Sequence, residues 1–282
     1  MNKQVIIASD STCDLSPALI ERYGIRILPL SVTLGDATYY DGVDIDPETI
    51  YAHYEKTGVL PKTAAVNMDA FASFFEAETA KGNEVVLFTI SAEMSSTYRN
   101  AAIAAEDFSG VYVVDTRNLS TGGGLLVVHA GEMAKKGCSA EEIARECAAL
   151  TPRVSASFVI DDLEFLHKGG RCSALAAFGA NLLQLKPCIV VKDGKMGVSK
   201  KYRGKFLSVL SKYIEEQLGD GSALEKDVAF VTHAGCDASI YEACKAQVEA
   251  LGIFREVHVT TAGCTVSSHC GRNTLGVLFI KK

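Results

Sequence analysis

Apolar runs that end in small, hydroxyl-bearing residues are the clearest pattern in the first half of the chain. Three such pairs occur, with strand-like residues 5–8, 85–88 and 111–114 followed by polar loops at 9–12, 91–97 and 115–124. Because the carboxyl ends of parallel strands meet at one edge of a sheet, we expect these loops to converge on one crevice. Hydroxyls and backbone N–H groups suit holding an anion or a carbonyl group better than breaking a bond.

Helix-like segments alternate with these strands, which predicts an α/β architecture with a largely parallel sheet flanked by helices. Capping signals predict helices at 17–23 after Ser16, at 47–55, at 68–81 after Asn67, and from the capping box of Ser139 and Glu142 to residue 149. Residues 25–32 are predicted to form a single strand.

The alternation of strand-like and helix-like segments is interrupted at Thr151-Pro152, and a new apolar strand follows. Because proline disfavours a helix at the residue before it, we place a domain boundary between residues 150 and 153. The predicted domains are therefore 1–150 and 151–282.

The second half contains a hairpin among its helices. Residues 188–191 and 196–200 flank Asp193-Gly194, a pair typical of a tight turn. Helices are predicted at 161–168, 173–182, 205–218 and 238–251, and further strands at 154–160, 228–232, 256–260 and 276–280. The hairpin predicts a mixed or antiparallel sheet rather than a second copy of the first domain.

We expect a cytoplasmic protein from the composition, the amino terminus and the cysteines. Its 282 residues, 48% of them hydrophobic, are enough for two domains. The amino terminus leads directly into a strand without a signal peptide, and no apolar run approaches the roughly 18 residues of an integral membrane segment. Nine cysteines without a CxxC pair indicate reduced thiols rather than a zinc or redox framework.

The net charge of -6 gives the chain no electrostatic reason to bind nucleic acid or an anionic membrane. Residues 186–205 differ from this average in charge, because the segment contains seven lysines and arginines and one acidic residue, Asp193. This basic segment is either a solvated surface or a docking patch for an acidic or phosphate-bearing partner.

Candidate chemistry lies first in the loop at Ser95 and Ser96. These hydroxyls precede a helix that begins near Thr97, so they either form an anion site with its free N–H groups or only cap the helix. The chain has no G-x-S-x-G motif. The glycines at 122–124 allow a ligand or a neighbouring loop to approach closely, but they match no nucleotide-binding motif.

His269 is the second candidate, since it lies among small residues just before the last strand; the alternative is a structural histidine. Cys264 and Cys270 are near it, yet no paired-ligand spacing supports a metal centre. The acids at 41, 44 and 46 are read as a turn at Asp41-Gly42 and a helix cap at Asp46 rather than a cation site.

Several short motifs are distributed along nearly the whole chain in a characteristic order. They are DSTCDL at 10–15, ISAEMSSTY at 90–98, VDT at 114–116 with Ser120 and its glycines, DLEFLHKGGRCS at 162–173, LKP at 185–187, RG at 203–204 and HCG at 269–271. In order and spacing they resemble the DegV family of bacterial fatty-acid-binding proteins.

The resemblance implies two α/β domains with a lipid tunnel between them. It implies that Thr63 and Ser95 hold the carboxylate of a fatty acid and that His269 lies near it, and we add the neighbouring Ser96 to this site. The chain departs from the family pattern at several positions but keeps the hydroxyls of Thr63 and Ser95. These positions are Ala64, Ala65, Val66, Ser96 and the pair Arg272-Asn273.

Arg171 and Arg203 match family arginines associated with docking the kinase that phosphorylates the bound acid. Wall or core positions are expected for Leu163, Phe165, Leu166, Phe178, Leu182, Leu183 and Ile189.

The predicted function is that of a carrier. It binds a long-chain fatty acid, without cofactor or metal, and presents the carboxylate to a fatty acid kinase subunit that makes an acyl phosphate for phospholipid metabolism. The carrier has no catalytic residue of its own. Two alternatives stay open: a small-molecule transferase or hydrolase that uses His269 with Ser95 or a cysteine, and a regulatory module that uses the basic segment.

Overall fold

The apolar runs of the first half form a four-stranded parallel sheet in the order β2-β1-β6-β7. The structure, a computed structural model, describes residues 4–172 and 185–282. The strands of this sheet are β1 (Val5–Asp10), β2 (Arg26–Leu28), β6 (Glu84–Thr89) and β7 (Val111–Asp115). The loops after β1, β6 and β7 therefore leave the sheet at one edge, as predicted.

The described part of the first half has six helices, and four of them begin after the capping residues read from the sequence. The six are α1 (Pro17–Tyr23), α2 (Pro47–Thr57), α3 (Met68–Thr79), α4 (Thr97–Ala105), α5 (Thr121–Lys135) and α6 (Ala140–Leu150). Ser16, Asp46 and Asn67 each accept a hydrogen bond from the first turn, and Ser139 forms a capping box with Glu142. These helix predictions are confirmed because capping depends on near neighbours only.

The prediction of one strand over 25–32 is wrong. Pro29 separates β2 from β3 (Ser31–Leu34), since proline has no N–H to continue a ladder. β3 turns away from the parallel sheet. It pairs with β4 (Ala37–Tyr40) and β5 (Lys62–Ala64) in a separate three-stranded antiparallel sheet.

The second half builds a mixed sheet in the order β11-β10-β9-β14-β12-β13, in which only β12 and β13 are parallel. Its strands are β8 (Val154–Ser155), β9 (Ser157–Ile160), β10 (Lys186–Lys192), β11 (Lys195–Tyr202), β12 (Val228–Ala234), β13 (Glu256–Thr261) and β14 (Thr274–Ile280). The short strand β8 pairs with the end of β14. Asp193 and Gly194 take positive φ angles of 51° and 81° at the turn between β10 and β11. The predicted hairpin and mixed sheet are confirmed.

Four helices of the second half are described, namely α7 (Glu164–Gly169), α8 (Phe206–Leu218), α9 (Ala238–Ala250) and α10 (Cys264–Cys270). The helix predicted at 161–168 begins only at Glu164, because the Asp162 carboxylate accepts the Glu164 N–H at 2.9 Å. The predicted helix at 173–182 lies outside the described residues. The helix α10, which carries His269, was not predicted.

A short 3-10 turn (Thr151–Arg153) follows α6 at the predicted boundary. The strands before this turn and the strands after it do not share a sheet. One hydrophobic cluster nevertheless joins the halves, because Phe230 and Leu278 pack with residues of the parallel sheet and α5. Separate domains at 1–150 and 151–282 therefore stay a prediction. Among the described residues, no helix combines the length and the apolar character needed to cross a bilayer.

Candidate ligand-binding site

A cavity of about 330 Å³ lies where the loops of the parallel sheet meet α10 and the β10–β11 hairpin. Its polar lining residues are Thr63, Ser95, Ser96, Arg171, Thr265 and His269. Apolar side chains form much of the remaining wall, among them Leu30, Ile90, Met94, Leu119, Met196 and Val266. The cavity therefore brings together residues that lie far apart in the sequence, including every predicted carboxylate-binding residue.

Thr63 and His269 form one polar contact of the cavity. The Thr63 Oγ1 atom lies 2.9 Å from Nε2 of His269, while Nδ1 of His269 is buried and has no hydrogen-bond partner. Burial, with a smaller effect of the Arg171 charge, lowers the pKa of His269 to about 4, so its ring is neutral at pH 7. If Nε2 carries the ring hydrogen and donates it to Thr63, the Thr63 hydroxyl is free to donate to a ligand.

Gly169 makes room for this histidine. A Cβ atom at position 169 would lie 2.7 Å from Nδ1 of His269, which is closer than real Cβ atoms approach. The end of α7 can therefore pass over the imidazole only because residue 169 has no side chain.

Ser95 has both of the roles considered from the sequence. Its Oγ accepts the Thr97 N–H at 3.2 Å and lies 2.9 Å from the Thr97 hydroxyl, so it helps to begin α4. It also lines the cavity. Ser96 lines the cavity as well but makes no capping hydrogen bond with its side chain.

The loop that carries Ser95 is held from two sides. The Asp10 carboxylate, at the end of β1, accepts the Ile90 N–H at 2.7 Å, and burial raises the pKa of Asp10 to about 6. The Ser91 hydroxyl donates to the Gly194 carbonyl in the hairpin turn at 2.8 Å. The loop at residues 9–12 therefore supports the site without lining it.

Two buried carboxylates fix the start of α10. Asp14 accepts the Gly263 N–H at 2.8 Å and the Ser120 hydroxyl at 2.5 Å. Asp41 accepts the N–H groups of Cys264 and Thr265 at 2.7 and 3.0 Å. Oxygen acceptors at a helix start are favourable because the first N–H groups of a helix have no partner within the helix.

This finding corrects the interpretation of Asp41 as only a turn residue. Gly42 does turn the chain, with φ of 73°, but Asp41 is buried and binds a helix more than 220 residues away. Asp46 behaves as predicted and caps α2 through the Thr49 N–H. The glycines at 122–124 serve close packing within the protein, since a Cβ at Gly124 would lie 2.7 Å from the Cys13 carbonyl oxygen.

The two predicted docking arginines are placed differently. Arg171 lines the cavity, and its guanidinium donates to the Gly169 carbonyl at 3.0 Å. Arg203 follows the end of β11, is exposed, and is not among the residues that line the cavity.

The basic segment at 186–205 is partly neutralised within the protein. Lys186 pairs with Asp161, and two further lysines of the segment, at 195 and 200, pair with Glu93 and Glu216. Because these lysines are engaged within the protein, the segment presents less free charge than its composition suggests.

The described candidates for wall or core positions pack in or against core clusters, and none of them is among the residues that line the cavity. These candidates are Leu163, Phe165, Leu166 and Ile189. Phe178, Leu182 and Leu183 lie outside the described residues. Sequence reasoning also missed Thr265, a cavity residue whose only signal is its spacing of four positions from His269.

The arrangement lacks an activated nucleophile in the residues that the structure describes. His269 bonds to Thr63 rather than to Ser95, and nothing orients its Nδ1 atom. Burial raises the pKa of Cys270, the cysteine of the cavity wall, to about 12, which keeps its thiol protonated.

The fold and the site define an α/β protein with a largely apolar cavity that has hydroxyls and a neutral imidazole on its wall. A profile of the DegV family of uncharacterised proteins matches residues 4–282, and the chain belongs to this family. A DegV domain-containing protein of Clostridium acetobutylicum is 31% identical over 282 residues, covering 99% of both chains.

Solved structures agree with this assignment. A DegV family protein of Thermus thermophilus, described as fatty-acid-binding, superposes with a TM-score of 0.90 at 29% identity, covering 99% of this chain and 100% of that one. A stearic acid-binding protein of Eubacterium ventriosum superposes with a TM-score of 0.85 at 28% identity, covering 99% of each chain.

Proposed function

We propose that this chain is a cytoplasmic carrier that binds a long-chain fatty acid, with the carboxylate near Thr63, Ser95, Ser96 and His269. The observation that carries the proposal is a single cavity with hydrogen-bonding groups and a wall of aliphatic side chains. The fatty-acid-binding DegV family protein of Thermus thermophilus and the structurally similar stearic acid-binding protein of Eubacterium ventriosum support it.

The physical chemistry of the cavity suits such a ligand. Each methylene group that leaves water contributes about 0.8 kcal/mol, so a long acyl chain supplies most of the affinity. A carboxylate taken out of water needs several hydrogen-bond donors, which the hydroxyls supply. The Arg171 guanidinium, on the same wall, adds a positive charge.

A hydrolase or transferase that uses Ser95 and His269 fits the geometry less well. The two side chains do not hydrogen-bond to each other, because His269 Nε2 contacts Thr63, so the imidazole is not placed to take the Ser95 proton. Ser95 Oγ accepts the Thr97 N–H, and its own O–H can still donate to a ligand. We therefore assign no catalytic residue to this chain and no cofactor beyond the bound acid.

The second part of the proposal is that the chain presents the carboxylate to a fatty acid kinase subunit. That subunit would make an acyl phosphate for phospholipid metabolism. Arg171 lines the cavity and Arg203 is exposed at the end of β11. Cations at these places suit recognition of the acidic surface or the phosphate groups of a kinase.

The ligand is tested by extracting the purified protein with organic solvent and analysing the extract by mass spectrometry. We expect co-purified fatty acid in the wild type and about tenfold weaker binding of added acid in Ser95→Ala, since a hydrogen bond to a charged group is lost. If the wild type neither contains nor binds fatty acid, the proposal is wrong. Lost turnover of a small molecule with unchanged lipid binding in Ser95→Ala would favour the enzyme instead.

The kinase partner is tested with Arg203→Glu, and Arg255→Glu serves as the matched control at another exposed arginine. With a fatty acid kinase subunit and ATP, we expect acyl phosphate formation to fall in Arg203→Glu only, while both variants retain bound fatty acid. Equal rates in the two variants would contradict docking at Arg203.

A further inference from the structure

Helix α10 carries three hydroxyl side chains, and two of them are bonded within the protein. Ser267 donates to the Ala262 carbonyl at 3.1 Å, and Ser268 donates to the Cys264 carbonyl at 2.7 Å. The third, Thr265, has no hydrogen-bond partner for its Oγ1 atom, although the residue is only 4% exposed. Such a hydroxyl is costly to bury unless something bonds to it.

The local structure gives Thr265 little freedom to satisfy its hydroxyl. A threonine inside a helix commonly donates to the carbonyl three or four residues earlier. Thr265 belongs to the first turn of α10, so the residues three and four positions earlier, Ala262 and Thr261, lie before the helix. Its backbone N–H is also held by Asp41 at 3.0 Å, which fixes the position of the residue.

Thr265, the residue that carries this unpartnered hydroxyl, lines the ligand cavity. Among the buried side-chain nitrogen and oxygen atoms of the described chain that lack a partner, Oγ1 of Thr265 and Nδ1 of His269 belong to residues that line this cavity. The two residues are four positions apart, and therefore share one face of α10.

We propose that Thr265 is a ligand-binding residue whose hydroxyl bonds to an oxygen atom of the bound acid. This inference rests on the proposed binding of a fatty acid in the same cavity. The oxygen has two possible sources: the carboxylate itself, or a hydroxyl group on the acyl chain close to the carboxyl end. One helical turn spans about 5.4 Å, a distance that a few acyl carbon atoms cover.

The experiment measures the dissociation constants of hexadecanoic acid and β-hydroxyhexadecanoic acid for the delipidated protein by titration calorimetry. The variants are Thr265→Val, which keeps the shape and removes the hydroxyl, and Thr265→Ser, which keeps the hydroxyl. Ser268→Ala is the control, because it removes a hydroxyl that is already bonded within the same helix.

We expect Thr265→Val to weaken binding about tenfold and Thr265→Ser to restore it, with Ser268→Ala within twofold of the wild type. Weaker binding of both acids identifies the carboxylate as the source, and weaker binding of the hydroxy acid alone identifies the chain oxygen. The thermal midpoint of the ligand-free Thr265→Val protein should equal or exceed that of the wild type, because no internal hydrogen bond is lost.

Unchanged affinity of Thr265→Val for both acids would overturn the inference while leaving the proposed function in place. A lower midpoint of ligand-free Thr265→Val with unchanged affinities would also overturn it, since the hydroxyl would then be structural. A wild-type protein that binds neither acid would instead overturn the proposed function.

Discussion

The Thr63 hydroxyl lies 2.9 Å from Nε2 of His269, although 206 residues separate them in the sequence. The contact joins β5 of the small antiparallel sheet to α10 beside the mixed sheet. Because the imidazole is neutral, the pair can supply hydrogen-bond donors without a proton transfer.

Replacement of Thr63 by valine should weaken fatty acid binding by about tenfold or more. The change removes a donor to the carboxylate and leaves His269 Nε2 unpaired. Thr33→Val on the neighbouring strand is the control, because its hydroxyl pairs with Thr38 at an exposed position. Titration calorimetry with hexadecanoic acid checks the effect, and equal losses in both variants would contradict the specific role of Thr63.

His269 should make the ligand-free protein less stable in acid. Its pKa is about 4 in the folded state and near the ordinary 6.5 in the unfolded chain, so the unfolded state takes up the proton first as the pH falls. This contribution to stability is complete above pH 6.5 and declines towards pH 4. At the lower end, the loss amounts to about 3 kcal/mol.

Urea denaturation of the wild type and His269→Asn between about pH 7 and pH 4.5 checks this linkage. The variant lacks the titrating ring. As the pH falls, the free energy of unfolding should therefore decrease more in the wild type than in the variant. Parallel pH profiles would show that His269 is not buried in its neutral form.

The two carboxylates at the start of α10 should respond differently to amide substitution. In Asp41→Asn, one backbone N–H of α10 would face the NH₂ group of the amide, and we expect a loss of about 2 kcal/mol in the free energy of unfolding. In Asp14→Asn, Oδ1 still accepts the Gly263 N–H and the amide can donate to Ser120. Because burial also raises the pKa of Asp14, its neutral replacement should cost less.

Urea denaturation of the two ligand-free variants and the wild type measures these losses. A larger loss in Asp14→Asn than in Asp41→Asn would contradict this account of the helix start.

Gly169→Ala should damage the site through sterics alone. The added methyl group would lie 2.7 Å from Nδ1 of His269, so the histidine must move and its contact with Thr63 must weaken. We expect a loss of about 1–3 kcal/mol in stability together with weaker fatty acid binding. The control is Gly197→Ala, where an added Cβ meets nothing within 4 Å.

Thermal unfolding and calorimetry measure both effects of Gly169→Ala. A variant as stable and as tightly binding as Gly197→Ala would show that α7 can shift away from His269.

Prediction from the sequence succeeded where the forces are local. The caps at Ser16, Asp46, Asn67 and Ser139 act on N–H groups within three residues, so a short stretch of sequence specifies them. Strand alternation and the turn at Asp193-Gly194 likewise indicated a parallel first sheet and a mixed second one. Family motifs, rather than periodicity, pointed to Thr63, Arg171 and Arg203.

Prediction failed where a residue's role depends on distant segments. Asp41 has the local pattern of a turn residue, yet its carboxylate binds backbone groups of α10 far along the chain. For Leu163 and Phe165 the sequence left wall and core positions equally open, and the structure packs Phe165 in a core cluster and Leu163 against another. The ligand cavity is lined instead by residues such as Met94 and Leu119.

Local sequence patterns specify most elements of this protein, its α/β class and the hydroxyl-rich loops at the edge of the parallel sheet, because helix caps, turns and strand periodicity depend on neighbouring residues. Long-range packing selects which of those loops line the cavity, and it leaves the hydroxyl of the lining residue Thr265 without a partner. A hydroxyl acquires a binding role when packing buries it beside a cavity and denies it an internal partner. That outcome depends on contacts between segments that no local pattern encodes.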